Sequence, residues 1–503
     1  MEWDTGDEVD KQLKIALPKG RLMAETAALL ERAGWGLGGY HESTRSYRLR
    51  SERYPELLAK IFHEKDIPIQ VAVGNYDLGI CGLDWIEELL AKYPSSALVK
   101  LRNLGYGEGA LHVGVSSSEA VLDRMANGSG LKTIIERMQL KRNIVRLASE
   151  YPNLTESFAL NLRLKRFSVF PVWGAAEAYP PESADLALIS GRVGEGMFNH
   201  DLVAIDRVLD SSAYLIANRA SWEGKNLSEV QASIEGALTP WLIERKAKGK
   251  PVSATRAGKT RAITGQPPAE KMAEATVRLA LPDGHQQAPT VRLLTRAGIR
   301  VEDYPSATGN RRPTSSLPGV SIKVIRPQDM PLQVANGNFD LAITGQDWLT
   351  EHLYQFPSSP ATELLDLKFG RVRIVAVVSK DLPVTDGYEL RQFYAGQTAP
   401  IRVASEYVNI ADKYARDNRL GMYRVIPTWG ASEAFVPEDA DLLIENTQTG
   451  RTIARHNLRI IDTLFESTAC LIGNRESVAS PTKGQKIKSI TRILRAAVEE
   501  TKS

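Results

Sequence analysis

The sequence predicts an α/β protein made of two tandem copies of one design. Three observations lead there. Motifs recur at a spacing of about 260 residues, far above the roughly 20–50 of a solenoid, so the period marks a duplicated domain. Within each copy, short apolar runs ending in glycine alternate with stretches of helical periodicity, the pattern of helices layered on mostly parallel sheets. Each copy then closes on an amphipathic helix.

The first strand is Ile15–Pro18, bounded by Gly20, and KIALPKGRL at 14–22 corresponds to RLALPDGHQ at 278–286. Leu22, Leu29, Leu30 and Ala33 follow at near-helical spacing, with Gly34 as the stop. DLGICG at 77–82 and DLAITG at 340–345 read as buried strands ending in a glycine turn, each followed by a helix carrying a tryptophan. LASEYPNL at 147–154 returns as VASEYVNI at 403–410, and WGAAEAYPPESADLAL at 173–188 as WGASEAFVPEDADLLI at 429–444. AYLIANRAS at 213–221 returns as ACLIGNRES at 469–477. The closing helices carry Val230, Ile234, Leu238 and Trp241, behind a Ser228/Gln231 capping box, and Ile487, Ile490, Leu494 and Val498. Residues 12–245 and 276–503 are the two copies, with a basic linker at 246–275.

Composition excludes several classes. Among 503 residues, Lys+Arg 63 against Asp+Glu 60 leaves +3, so no basic excess advertises nucleic acid. Cys81 and Cys470 are too few for a disulfide framework and lack metal-ligand spacing. The acidic start has no signal-peptide form, and no apolar run reaches the roughly 18 residues of a membrane span. The expected location is cytoplasmic. Residues 245–261 hold seven basic residues and no acidic one, but without aromatic stacking residues they read as a solvated linker.

The strongest chemical signal lies in the second copy, where Asp441-Leu-Leu-Ile-Glu445-Asn-Thr447-Gln-Thr449-Gly450-Arg451-Thr452 runs from an apolar strand towards a helix. Glycine lets the backbone approach an anion, and hydroxyls and free N–H groups at a helix start donate to phosphate oxygens. An acid four residues before Thr449 can accept from vicinal sugar hydroxyls. Such a turn suits a phosphorylated ribose; taken alone it also reads as a threonine-rich helix cap.

The ordered motif set resembles the ATP phosphoribosyltransferase family in its short catalytic form, twice over. KIALPKGRL (14–22), TRSYRL (44–49), DLGICGLDWI (77–86), ASEYPNL (148–154), GAAEA (174–178), RPQDMP (326–331), KFGRVRI (368–374) and ENTQTGRTIARHNL (445–458) carry it. The resemblance implies that each copy has the two α/β lobes of a type II periplasmic-binding-protein-like fold, with substrates in the cleft, and that the copies pair as an intrachain pseudo-dimer. It implies attack of adenine N1 of ATP on C1 of phosphoribosyl pyrophosphate, releasing pyrophosphate with Mg²⁺, the first step of histidine biosynthesis. Its catalytic cations would be Lys19, Arg21, Arg45, Arg326 and Arg373. Its substrate-binding residues would be Glu433, Asp441, Glu445, Thr447, Thr449, Gly450, Arg451 and Thr452. No metal ligand is assigned.

The copies depart from the family in opposite directions. Lys19, Gly20 and Arg21 face Asp283, Gly284 and His285 in the alignment, whereas Glu445, Thr449 and Thr452 face Ile189, Val193 and Gly196. Arg326 and Arg373 face His63 and Ala110. The expectation is one composite site, completed either by reach across the interface or by lobe exchange. The alternative is a non-catalytic paralogue sensing a nucleotide or histidine. A regulatory protein partner and further self-association both stay open.

Overall fold

The computed structural model describes residues 12–41, 47–117, 131–141, 143–191, 202–248, 276–307 and 309–500. The chain leaves its first sheet, builds a second, and returns, and it does this in each copy. The first lobe of copy 1 orders its strands Arg48–Arg50, Leu57–His63, Leu13–Lys19, Leu78–Gly82, Ala213–Asn218, Leu98–Asn103. Its second lobe runs Phe167–Pro171, Val145–Ser149, Leu186–Gly191, Gly109–Ser116, Leu202–Ser211. Copy 2 repeats both: Val320–Ile325, Val277–Pro282, Leu341–Gly345, Ala469–Asn474, Ala361–Asp366, then Tyr423–Pro427, Ile401–Ser405, Leu442–Thr447, Val372–Ser379, Leu458–Ser467.

Setting aside the extra edge strand Arg48–Arg50 and the small ribbon Val301–Glu302 with Thr314–Ser315, the four lobe sheets share one order: second, first, third, crossing, fourth. This is the two-lobed, type II periplasmic-binding-protein-like architecture. The expectation of mostly parallel sheets holds for strand direction, four of the five strands in each running one way. In each sheet the strand that enters from the other lobe lies antiparallel to both neighbours, as Ala469–Asn474 does between Leu341–Gly345 and Ala361–Asp366. A chain that crosses between lobes must re-enter from the opposite end.

One clamp recurs in every lobe. Asp77, Asp185, Asp340 and Asp441 each accept the N–H at the start or edge of the first strand, from Lys14, Arg146, Arg278 and Arg402, at 2.8, 2.9, 2.8 and 2.8 Å. The periodic faces are buried as expected: Val230, Ile234, Leu238 and Trp241 in copy 1, and Ile487, Ile490, Leu494 and Val498 in copy 2. The helix 23–32 stops at Gly34, which takes φ +71°. The Ser228/Gln231 capping box is not formed. Asn226 Oδ1 instead accepts from the Ser228 N–H at 3.3 Å, and Gln231 turns to Glu235 at 2.9 Å. The closing helix of copy 1 runs to Lys248, and the rest of the expected linker lies outside the described residues.

The copies meet crosswise. Phe62, Val71 and Tyr76 of the first lobe of copy 1 share a buried cluster with Val375, Val377, Phe435 and Leu443 of the second lobe of copy 2. The reciprocal cluster joins Ala148, Tyr179 and Ala187 to Ile325, Met330 and Phe339. The pattern is isologous, as for a two-fold dimer. The Trp173 N–H donates to Asp329 at 3.1 and 3.2 Å, and the Trp429 N–H donates to Asp66. Among the described residues no sheet mixes strands of the two copies, so no strand is exchanged between them. Among the described residues, no helix is long and apolar enough to cross a membrane.

Candidate active site

Alternation along one strand aims the turn. In Leu442–Thr447, Ile444 packs into its own lobe while Leu443 joins the cluster shared with copy 1. Glu445 and Thr447 therefore lie on the face turned towards copy 1. Arg373 stands directly opposite Thr447 in the ladder and shares that face. Among the described residues its guanidinium has no hydrogen bond or ion pair. Beyond the strand, Gly450 takes φ +72° and its N–H donates to Thr447 Oγ1 at 2.9 Å. The Arg451 N–H donates to Thr449 Oγ1 at 3.4 Å, and Arg451–Arg455 forms one short helix. Thr449, Arg451 and Thr452 are exposed at the mouth of this turn.

Three carboxylates, Glu406, Glu433 and Glu445, stand over the strand end without a salt-bridge partner among the described residues. Burial, then Glu433 and Asp347, push Glu406 up to about 7. Burial, then Glu406 and Glu433, hold Glu445 well above the ordinary carboxylate range, against bonds from the Asn446 N–H and Ser432. Asn446 donates to the Tyr407 hydroxyl at 3.0 Å, which donates in turn to Asp347 at 2.6 Å. That chain ties the strand end to the first lobe of copy 2.

Copy 1 supplies the opposite wall. Tyr47 stacks on His456, just past the turn helix, with centroids 5.0 Å apart. Lys19 sits over the same tyrosine ring at 5.1 Å, with its ammonium 3.3 Å from the hydroxyl. Lys19 has no carboxylate partner among the described residues. His63 faces Lys19, and burial, then Lys65 and Lys19, lower its pKa to about 4, so it is neutral at pH 7.

The reciprocal cleft has been closed by its own charges. Where Tyr47 stands in copy 1, copy 2 has Arg311, which pairs with Asp283 at 2.7 Å and with Glu177 at 3.3 Å. Arg326 adds to Asp283 at 3.5 Å. On the facing sheet, Ala110 stands opposite Gly191 where copy 2 has Arg373 opposite Thr447, and Ile189 replaces Glu445. Glu150, the counterpart of Glu406, is paired with Lys65 at 2.9 Å.

The structure thus brings together Lys19, Arg373, Glu433, Glu445, Thr447, Thr449, Gly450, Arg451 and Thr452. Three expected residues stand elsewhere. Arg21 is spent inside copy 1, at 3.0 Å from both Asp84 oxygens and 3.0 Å from Glu64, because two buried acids there need a cation. Arg326 lies in the closed cleft, so close to Gly174 that a Cβ there would meet its Nε at 3.1 Å. Asp441 is at the opposite end of its strand from Thr447, held by Arg402 in the clamp common to all lobes. Arg45, Val193 and Gly196 lie outside the described residues. Sequence reasoning missed Glu406, Tyr47 and His456. The repeated ASEY motif signalled the first, whereas the ring stack joins residues from two copies and leaves no local pattern.

Comparison with known proteins identifies the family of the repeated domain. The family model of ATP phosphoribosyltransferase (HisG) matches residues 63–236 and 326–496. ATP phosphoribosyltransferase of Nitratidesulfovibrio vulgaris (strain DP4) is 32% identical over 228 residues, 44% of this chain and 72% of the relative. That of Chlorobaculum parvum is 30% identical over 227 residues, 44% of this chain and 71% of the relative. A solved ATP phosphoribosyl transferase (HisG:HisZ) complex from Thermotoga maritima aligns with 45% of this chain and 100% of that one, at 22% identity and TM-score 0.37. The matched model spans most of both copies, so the chain belongs to the ATP phosphoribosyltransferase family of histidine biosynthesis and carries that domain twice.

Proposed function

We propose that the chain transfers the 5-phosphoribosyl group of phosphoribosyl pyrophosphate to N1 of ATP, at one composite cleft per chain. The supporting observation is the pairing of an open phosphate turn on copy 2 with an uncompensated lysine on copy 1. Glu445 accepts from the ribose hydroxyls, replacing the repulsion of its two carboxylate neighbours with donors. The hydroxyls of Thr449 and Thr452, with the backbone N–H groups of the turn, hold the 5′-phosphate. Lys19 and Arg373 face the charge that gathers on departing pyrophosphate; one preorganised donor of this kind contributes about 3–4 kcal/mol. Adenine N1 is already nucleophilic, so positioning rather than a general base is the main task.

Among the described residues no group of three or more His, Cys, Asp or Glu side chains could hold a metal ion. Mg²⁺ would arrive with the substrate's diphosphate, and one or two of Glu406, Glu433 and Glu445 would supply its side-chain ligands. When bound it would neutralise leaving-group charge.

The test is formation of the N1-substituted adenine chromophore from ATP and phosphoribosyl pyrophosphate by the purified full chain with Mg²⁺. Tight binding of both substrates without product would leave the nucleotide-sensing reading, which the engagement of Arg21 with Glu64 and Asp84 favours.

A further inference from the structure

The two crosswise seams differ at one buried lysine. At the first, Lys60 is wholly buried between Asp439 at 2.7 Å and Glu438 at 3.1 Å, and the Tyr76 hydroxyl donates to Asp439 at 3.1 Å. At the second, the matching Lys323 keeps Glu182 at 2.5 Å, but Ser183 stands where Asp439 would and Phe339 where Tyr76 would. A carboxylate and a phenol are gone, and a cavity of about 360 Å³ opens against Lys323, Ser183, Phe339, Ile322 and Asn338.

We propose that this cavity binds a small-molecule carboxylate, whose charged end takes the place of the missing aspartate against Lys323 while its apolar body lies on Phe339 and Ile322. The site stands apart from the cleft read as catalytic and does not rest on that reading. Three features carry it. The lysine is buried and has lost one of two counter-charges, a loss that low-dielectric surroundings make costly. Arg278, held by Asp340, lines the cavity, while Arg312 shares Glu182 with Lys323, at 3.4 Å, so one carboxylate serves two cations there. The space is concave and mixed, with Phe339, Ile322, Val320 and Pro313 among polar and charged side chains. Consistently, burial drives the Lys323 pKa down to about 8, with Glu182 raising it and Arg312 and Arg278 lowering it.

The experiment titrates the full chain with acetate, isovalerate and phenylacetate, each paired with its neutral amide, by calorimetry and thermal midpoint. Saturable binding of isovalerate or phenylacetate at one site per chain is expected, with the amide at least tenfold weaker. Ser183→Asp supplies the carboxylate from the chain itself and should abolish binding while raising the midpoint. Lys323→Gln should abolish binding by removing the charge. Acid and amide binding alike, no binding of any of the three acids up to 10 mM, or undiminished binding in Ser183→Asp would each overturn the proposal.

Discussion

Tyr47 of copy 1 and His456 of copy 2 stack with centroids 5.0 Å apart and planes 17° apart, and Lys19 rests on the same tyrosine. Burial lowers the His456 pKa, with Arg455 and Arg48 adding to the shift against Glu433, so a neutral imidazole meets the ring at pH 7. The stack fixes where copy 1 places its lysine relative to the copy 2 turn. Tyr47→Ala should remove both contacts, lower turnover about tenfold and cost about 1 kcal/mol of stability beyond lost area. Tyr47→Phe keeps ring and stack and should stay within about threefold of the parent in steady-state assays.

Lys19 and Arg21 are neighbours in sequence with different work. Lys19→Ala should reduce turnover at least tenfold, because Lys19 has no carboxylate partner among the described residues. Its thermal midpoint should fall by no more than the loss of the contact with Tyr47 accounts for. Arg21→Ala strands Asp84 and Glu64 and should lower stability, on the order of 3 kcal/mol before screening at the partly open guanidinium is discounted. Equal effects of the two on both readouts would refute the division.

Calorimetry with phosphoribosyl pyrophosphate should give one site per chain. Thr449→Val and Thr452→Val should each weaken binding by about 1–3 kcal/mol, and Glu445→Ala similarly. Ile189→Ala should leave affinity unaltered. A stoichiometry near two would place a working site in the cleft that Arg311, Asp283 and Glu177 occupy.

Restoring the lysine of the family motif should not reopen that cleft. Asp283→Lys puts a third cation beside Arg311 and Arg326, 2.7 and 3.5 Å from the carboxylate it replaces, and leaves their charges uncompensated. Its thermal midpoint should fall and no second binding event should appear.

These contrasts show what the sequence could and could not carry. Duplication, the closing helices and the turn around Gly450 were legible because each is local: a repeat, a periodicity, a glycine at positive φ. The proposed composite site is legible only as complementary loss, Lys19 kept on one copy and Glu445 on the other. The roles of Arg21 and Arg326 were not legible. A guanidinium in a motif looks the same whether it faces an anion or fills a buried acid pair, and its partners lie up to 63 residues away in Asp84 or on the other copy at Gly174. Asp441 misled for a related reason. Its adjacency to the turn in sequence is a full strand length in space, on the order of 20 Å.

The last expectation concerns pH. Asp329 is pushed up to about 7, chiefly by burial, while bonds from Trp173 and Tyr179 oppose the shift. Glu406 is likewise raised to about 7 by burial and its acidic neighbours. In the unfolded chain both acids lose their protons near pH 4. Between about 4 and 7 the native state therefore binds more protons than the unfolded one, so stability is greatest below that window and is lost as pH rises through 7. Each unit of displacement is about 1.4 kcal/mol, so these two acids contribute a fall of at least about 2 kcal/mol between pH 5 and 7.5 in chemical denaturation. His63 opposes it below about pH 6.5, because its lowered pKa makes the unfolded chain bind the extra proton. The acids held below their ordinary range, such as Asp340 and Glu182, titrate beneath this window and do not offset the fall. Asp329→Asn should flatten the profile at the seam without altering substrate affinity. Glu406→Gln should flatten it too, and should also remove the rise in phosphoribosyl pyrophosphate affinity with pH that an ionising cleft carboxylate would give. A stability profile unchanged by both substitutions would mean that neither acid holds its proton in the folded chain.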